Sequence, residues 1–195
     1  MALVTAKNYI IRVPTMLERL FKSRALPNAP LAMVGAKAGN RVLIIGTRFP
    51  GLTAELARAT GLNGHTMVVG AEADRAAMEA AATGAGALIE FHPREAPVIS
   101  SGTEPFDVAV ATHPLAGLSD AERARLIGEA FAAVRPGGRL IVVDGGSSPG
   151  LLWRVPAQAI DAPTVLKLLT AAGGLAVRVL GTINNLTYYE ARKNR

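Results

Sequence analysis

Short apolar runs and longer amphipathic stretches alternate along this chain. Val42, Leu43, Ile44 and Ile45 are apolar without interruption, as in a parallel strand covered on both faces. Residues 53–60 then take helical spacing. The strand pattern returns at 66–71, 87–91, 106–111 and 139–144, and the helical one at 74–82 and 120–134. In the long helix Leu126, Ile127, Ala130, Phe131 and Val134 share one stripe. Pro136, Gly137 and Gly138 read as the turn that ends it. Strands alternating with helices predict an open, mostly parallel sheet with helices on both faces. The tail differs. A helix over 164–172 stops at Gly173-Gly174, and strands over 175–183 and 186–192 are joined by Asn184-Asn185, which is hairpin chemistry.

The pattern is looser before residue 41. Thr15 and Glu18 have capping-box spacing. Met16, Leu17, Leu20 and Phe21 supply one apolar face, and Pro27 and Pro30 end the helix. The chain therefore divides into an N-terminal helical extension or lid, residues 1–40, and an α/β domain, residues 41–195. The extension packs over the domain, or its helix meets a membrane surface or a partner.

Composition narrows the classes. Hydrophobic residues make up 50% of the 195 and charged residues 18%, enough for a core and against disorder. There is no cysteine, which removes disulfides, thiolate metal sites and a thiol nucleophile. The three histidines lack metal-ligand spacing. The formal charge of +6 is spread along the chain, with small concentrations at Arg19, Lys22 and Arg24 and at Arg192, Lys193 and Arg195. This reads as a solvated surface or a weak attraction for an acidic partner. Base-stacking aromatics do not interleave with the cations, so nucleic acid is a poor fit. No apolar run reaches the roughly 20 residues of a bilayer span, and Arg12 and Pro14 interrupt any secretory signal. The expected location is cytoplasmic.

Candidate chemistry gathers where strands end. Gly46 stands at the exit of the first strand, followed by Thr47, Arg48, Phe49, Pro50 and Gly51. A glycine turn there lets backbone approach a nucleotide-type ligand, although this order is not G-x-G-x-x-G. Glu72, at the end of the second strand, suits both hydroxyls of a ribose, while Asp74 suits the cap of the next helix. His113 follows the fourth strand, where a histidine acts as a general base or caps a turn.

Taken together, these segments resemble the class I S-adenosylmethionine-dependent methyltransferases over roughly residues 36–193. The resemblance rests on Phe106-Asp107-Val108, on Val134-Arg135-Pro136-Gly137-Gly138-Arg139-Leu140, on Glu72, and on the closing Tyr188-Tyr189-Glu190-Ala191-Arg192-Lys193. It implies a Rossmann-like three-layer α/β/α sandwich, with a mostly parallel seven-stranded sheet and an antiparallel C-terminal hairpin. It also implies S-adenosylmethionine as cofactor, held by Gly46, Thr47, Arg48, Gly51, Glu72, Ala73, Glu95 and Thr112. Glu95 would meet the adenine. In the family's first motif an acid precedes G-x-G-x-G. Here Ile44 takes the acid's place, and Arg48 and Pro50 replace the second and third glycines. An arginine there repels the cofactor's sulfonium and ammonium, or binds its carboxylate.

Two functions suit these residues. One is methyl transfer to a small, apolar acceptor, with His113 as base and the acceptor pocket built from the leader and residues 147–160, which include Trp153. The other is a degenerate methyltransferase-like domain that serves as a binding or assembly subunit for a protein partner.

Overall fold

A computed structural model describes residues 29–94, 104–112, 115, 117–145 and 160–195. The leader helix expected from Thr15, and most of the extension 1–40, lie outside the described residues. Within them a short helix, α1 (Ala29–Val34), precedes the sheet. Pro30 sits in its first turn. The lost N–H costs nothing there.

The elements then run β1 (Arg41–Ile45), α2 (Pro50–Thr60), β2 (His65–Gly70), a 3-10 turn (Glu72–Asp74), α3 (Arg75–Gly84), β3 (Glu90–Pro93), β4 (Phe106–Thr112), α4 (Asp120–Ala132), β5 (Val134–Gly145), α5 (Ala162–Ala171), β6 (Leu175–Ile183) and β7 (Leu186–Arg192). The described strands form one seven-stranded sheet in the order β3-β2-β1-β4-β5-β7-β6. The first five are parallel, while β7 runs antiparallel to both β5 and β6. The expected sheet and its terminal hairpin are both present.

Side-chain alternation gives the sheet two dry faces. Leu43 and Ile45 join Leu126, Phe131, Val165 and Leu169 on the α4–α5 side. Val42 and Ile44 join Val34, Leu56 and Met78 on the α1–α2–α3 side. Both faces of β1 are buried, which is why its sequence is apolar throughout.

Several boundaries differ from the sequence reading. α2 begins at Pro50, three residues early, because proline suits the first helical position. β3 occupies 90–93 rather than 87–91, leaving Leu88 exposed. The Pro136-Gly137-Gly138 segment is an irregularity within β5. The pairing with β4 jumps from Val134 opposite Phe106 to Arg139 opposite Val108. Gly137 takes a φ of 75° there, and its N–H reaches the carbonyls of Lys193 and Asn194 at 3.2 Å.

Candidate functional site

The carboxyl ends of β1, β2 and β4 meet at one edge. Gly46 leaves β1 with a φ of 104°. A side chain there would place Cβ 2.6 Å from the Thr112 carbonyl oxygen and 2.7 Å from its hydroxyl. The glycine is thus required by the approach of the β4 exit. Its N–H donates to Val69 across the strand end at 2.9 Å, and the Thr112 hydroxyl donates to the Ile45 carbonyl at 3.2 Å. Thr112 is buried, so it closes the floor of the site.

Thr47 ties this loop to the next. Its hydroxyl donates to Asp74 Oδ2 at 2.5 Å. Its methyl lies 2.2 Å from where a Cβ on Gly70 would be, so Gly70 gives it room. Asp74 holds the N-cap position of α3 but makes no side-chain cap. Its carboxylate is turned to Thr47, which corrects the capping role expected of it.

Glu72 and Ala73 lie in the 3-10 turn after β2, and both are exposed. Glu72 sits at the same carboxyl edge as Gly46. Arg75 grips it at two points, Nε to Oε1 at 2.7 Å and a terminal nitrogen to Oε2 at 3.0 Å. Hydrogen bonding by Arg75 holds the Glu72 carboxyl below the usual carboxylate range; slight burial opposes this and the guanidinium charge reinforces it. Arg75 is itself fixed by the Phe91 carbonyl at 3.1 Å and by stacking over the Phe91 ring. The acid therefore stays ionised and oriented, and retains lone pairs for further donors.

The altered glycine motif resolves into separate pieces. Ile44 is buried in the core, so no acid projects from β1. Arg48 is exposed. Pro50 is the first residue of α2 rather than a member of the loop. Gly51 lies in the first helical turn with nothing within 4 Å of a built Cβ, so its backbone needs no glycine.

A hollow of about 380 Å³ opens beside this loop. Its lining is mostly apolar: Pro30, Phe49, Pro50, Leu52, Leu186 and Tyr188, with Arg48 and Glu55 as its charged members. The sequence reading missed Glu55, Leu186 and Tyr188. The alternation of β7 held the signal for Tyr188, because it shares a face with Glu190 while Tyr189 and Ala191 take the other. Burial pushes the Tyr188 phenol up, and the Glu55 charge pushes it further. Tyr188 is thus a neutral hydrogen-bond donor.

His113 and Glu95 lie outside the described residues, as do residues 147–159 of the expected acceptor segment. The Ile160 N–H donates at 3.0 Å to buried Asp144, near the carboxyl end of β5. Among the described residues no cluster of side chains has metal-ligand geometry, and no helix is long and apolar enough to cross a membrane.

A sheet ordered 3-2-1-4-5-7-6, antiparallel only at β7, decides the architecture. This is the fold of the class I S-adenosylmethionine-dependent methyltransferases. A methyltransferase from Aquifex aeolicus, described as S-adenosylmethionine-dependent, superposes with a TM-score of 0.63 at 18% identity, over 84% of this chain and 89% of that one. An O-methyltransferase family protein from Burkholderia thailandensis gives 0.64 at 17% identity, over 86% and 56%. The [4+2]-cyclase SpnF gives 0.62 at 17% identity, over 85% and 78%. The chain spans about half the length of some chains that it matches. No protein-family model matches the sequence, and no curated protein matches it. SpnF carries a different activity in its name, so the fold alone does not fix the reaction.

The described residues fit the fold's cofactor in part. Glu72 is ionised, oriented and beside the loop, and the first turn of α2 presents the N–H groups of Gly51 and Leu52, which α-helical geometry leaves without partners. Against this, Ile44 cannot serve as an acid and the Thr47 hydroxyl is already engaged.

Proposed function

We propose that the protein binds S-adenosylmethionine and transfers its methyl group to a small, apolar acceptor. One observation carries the reading: Gly46 and the ionised Glu72 follow the carboxyl ends of the adjacent parallel strands β1 and β2, and the loop after Gly46 lines a mostly apolar hollow of about 380 Å³. Such a volume is within the range of small-molecule sites. Bound S-adenosylmethionine supplies an electrophilic methyl group. Glu72 accepts from the ribose hydroxyls, and the α2 N-terminus with Arg48 receives the carboxylate. Thr112, Ala73 and Glu95 complete the nucleoside contacts. The hollow orients the acceptor, and His113, the residue after β4, takes its proton. Displacement of this kind draws chiefly on positioning, so a short catalytic list suffices.

The second reading, a binding subunit without methyl transfer, is favoured by Ile44 in the core and by the Arg75 grip on Glu72. Thermal unfolding with S-adenosylmethionine and S-adenosylhomocysteine separates them. At about 100 times its dissociation constant a ligand adds about 2.7 kcal/mol of stability. Methyl transfer requires such a shift, and Glu72→Ala should weaken the affinity about tenfold, the loss of a charged hydrogen bond. No shift with either compound leaves the binding-subunit reading standing. Affinity that emerges only in Arg48→Gly would mark a relic pocket.

A further inference from the structure

The opposite edge of the sheet carries a second hollow, of about 300 Å³. It opens where β1 and β4 begin and β7 ends, roughly 15 Å from Gly46 along β1 at the usual rise per residue. Lys37, Arg135, Arg139 and Arg192 line it, with Asp107 the single carboxylate among its described lining residues. We propose that this hollow binds the phosphate group of a small phosphorylated ligand.

The local acids do not balance these cations. Glu190 is fully buried beneath the hollow and faces three guanidinium groups. Arg178 takes the good contacts, at 2.9 and 2.7 Å to Oε2. Arg139 and Arg192 each reach Oε1 with one nitrogen at 3.4 Å. Asp107 is already shared between the Arg41 N–H at 2.8 Å and Arg135 Nε at 2.6 Å. The Lys37 ammonium has no partner among the described residues; only its backbone N–H is engaged, by Asn40. Like charges held this closely repel one another, and an incoming dianion removes that repulsion.

The cations are also held in place beforehand. Arg139 donates to the Gly35 carbonyl at 2.8 Å. Its terminal nitrogen lies 2.0 Å from where a Gly35 Cβ would be, so only glycine lets the guanidinium pass under the α1 terminus. Preorganised forks beside an ammonium suit a tetrahedral, multiply charged oxyanion better than a carboxylate, which one fork satisfies. Gly137 and Gly138 complete the lining beside these cations. Among the described lining residues there is no aromatic ring on which a base could stack, which favours a small ligand over a nucleic-acid strand. The site is independent of the methyl-transfer reading.

Calorimetry of the full chain with pyrophosphate at low ionic strength tests this. Binding is expected, weakened about tenfold by Lys37→Ala and by Arg192→Gln and reduced by salt. Lys167→Ala, which removes an exposed cation on α5, should leave affinity within about twofold, as for a screened distant charge. Arg192 also pairs with buried Glu190, but the Lys37 side chain is exposed and its truncation spares the fold, so weakened binding in Lys37→Ala cannot be blamed on misfolding. No heat with pyrophosphate, or equal losses from all three variants, overturns the proposal. So does oligouridylate binding that tightens with length while pyrophosphate stays silent, because the partner would then be nucleic acid.

Discussion

The two edges of this sheet are built with different chemistry. At the carboxyl edge the contacts are close and mostly uncharged: Gly46 against Thr112, Gly70 against the Thr47 methyl, and one Thr47–Asp74 hydrogen bond. Its acid, Glu72, pairs with a neighbour three residues along and stays exposed. At the amino edge, charged ties join distant parts of the sequence. Asp107 in β4 holds the start of β1 and Arg135 of β5. Arg139 of β5 holds the end of α1. Lys193 Nζ donates to the carbonyls of Phe131, Ala132 and Val134 at the end of α4. The chain is thus locked at one end of its strands, which leaves the other end for loops that a ligand can shape.

Removing the lock should have the largest effect. Glu190→Ala leaves three arginines facing one another beside the core, and truncating a buried ionic partner costs about 3–5 kcal/mol; partial exposure of the arginines puts the expected loss near the lower figure. Urea unfolding measures it, and a loss as small as that of the exposed Glu72→Ala would erase the contrast between the edges. Acid should act on the same lock. Burial pushes the Glu190 carboxyl up, but the hydrogen bonds from Arg178 and Arg139 and the charges of Arg178 and Arg192 outweigh it, so the group titrates below its ordinary range. Asp107 behaves alike: burial raises it, and the Arg41 N–H, Arg135 and Asn40 more than compensate. With both lowered in the folded state, the unfolded chain binds more protons in acid. Their stabilisation is complete above the ordinary carboxylate range and is lost as pH falls through the folded values. Unfolding midpoints from neutral to acid pH should drop in the wild type and drop less in Glu190→Gln.

At the carboxyl edge the corresponding test is Gly46→Ala. The new Cβ meets main-chain oxygen at 2.6 Å, at a φ of 104°. Neither can be relieved by a side-chain rotation, so the expected cost is about 2–4 kcal/mol. A smaller loss in urea unfolding would mean that β1 and β4 can part at their exits, and that the floor of the site is soft.

The difference between the edges also explains what the sequence disclosed. Fold class, strand order at the tail and the place of Glu72 were legible because they rest on local periodicity and on spacing along one strand–helix unit. The hairpin over 175–183 and 186–192 was read to the residue, since Asn184 and Asn185 both adopt positive φ. Pairings across long separations were not legible. Nothing around Glu190 announces Arg139, 51 residues away, and the +6 charge looked scattered because the strand ends that collect it are scattered in sequence. Asp74 misled for a related reason: its cap position is a local property, but its partner Thr47 lies 27 residues away. At the site itself, Pro50 seemed to obstruct a loop because the onset of α2 was placed three residues late.

Gly51 gives the smallest and most discriminating effect. It occupies the first turn of α2, without positive φ and with open space around a built Cβ. Alanine there should stabilise the protein by about 0.5 kcal/mol, through the smaller entropy of the unfolded chain and better helix propensity. The same methyl would project beside the hollow that Gly51 lines. If the methyl-transfer reading holds and S-adenosylmethionine seats against this turn, Gly51→Ala should raise the melting temperature of the free protein while reducing the shift that the ligand adds. A variant that gains stability and keeps the full ligand shift would place the cofactor elsewhere along the edge, nearer Glu72, and would assign the apolar hollow wholly to the acceptor.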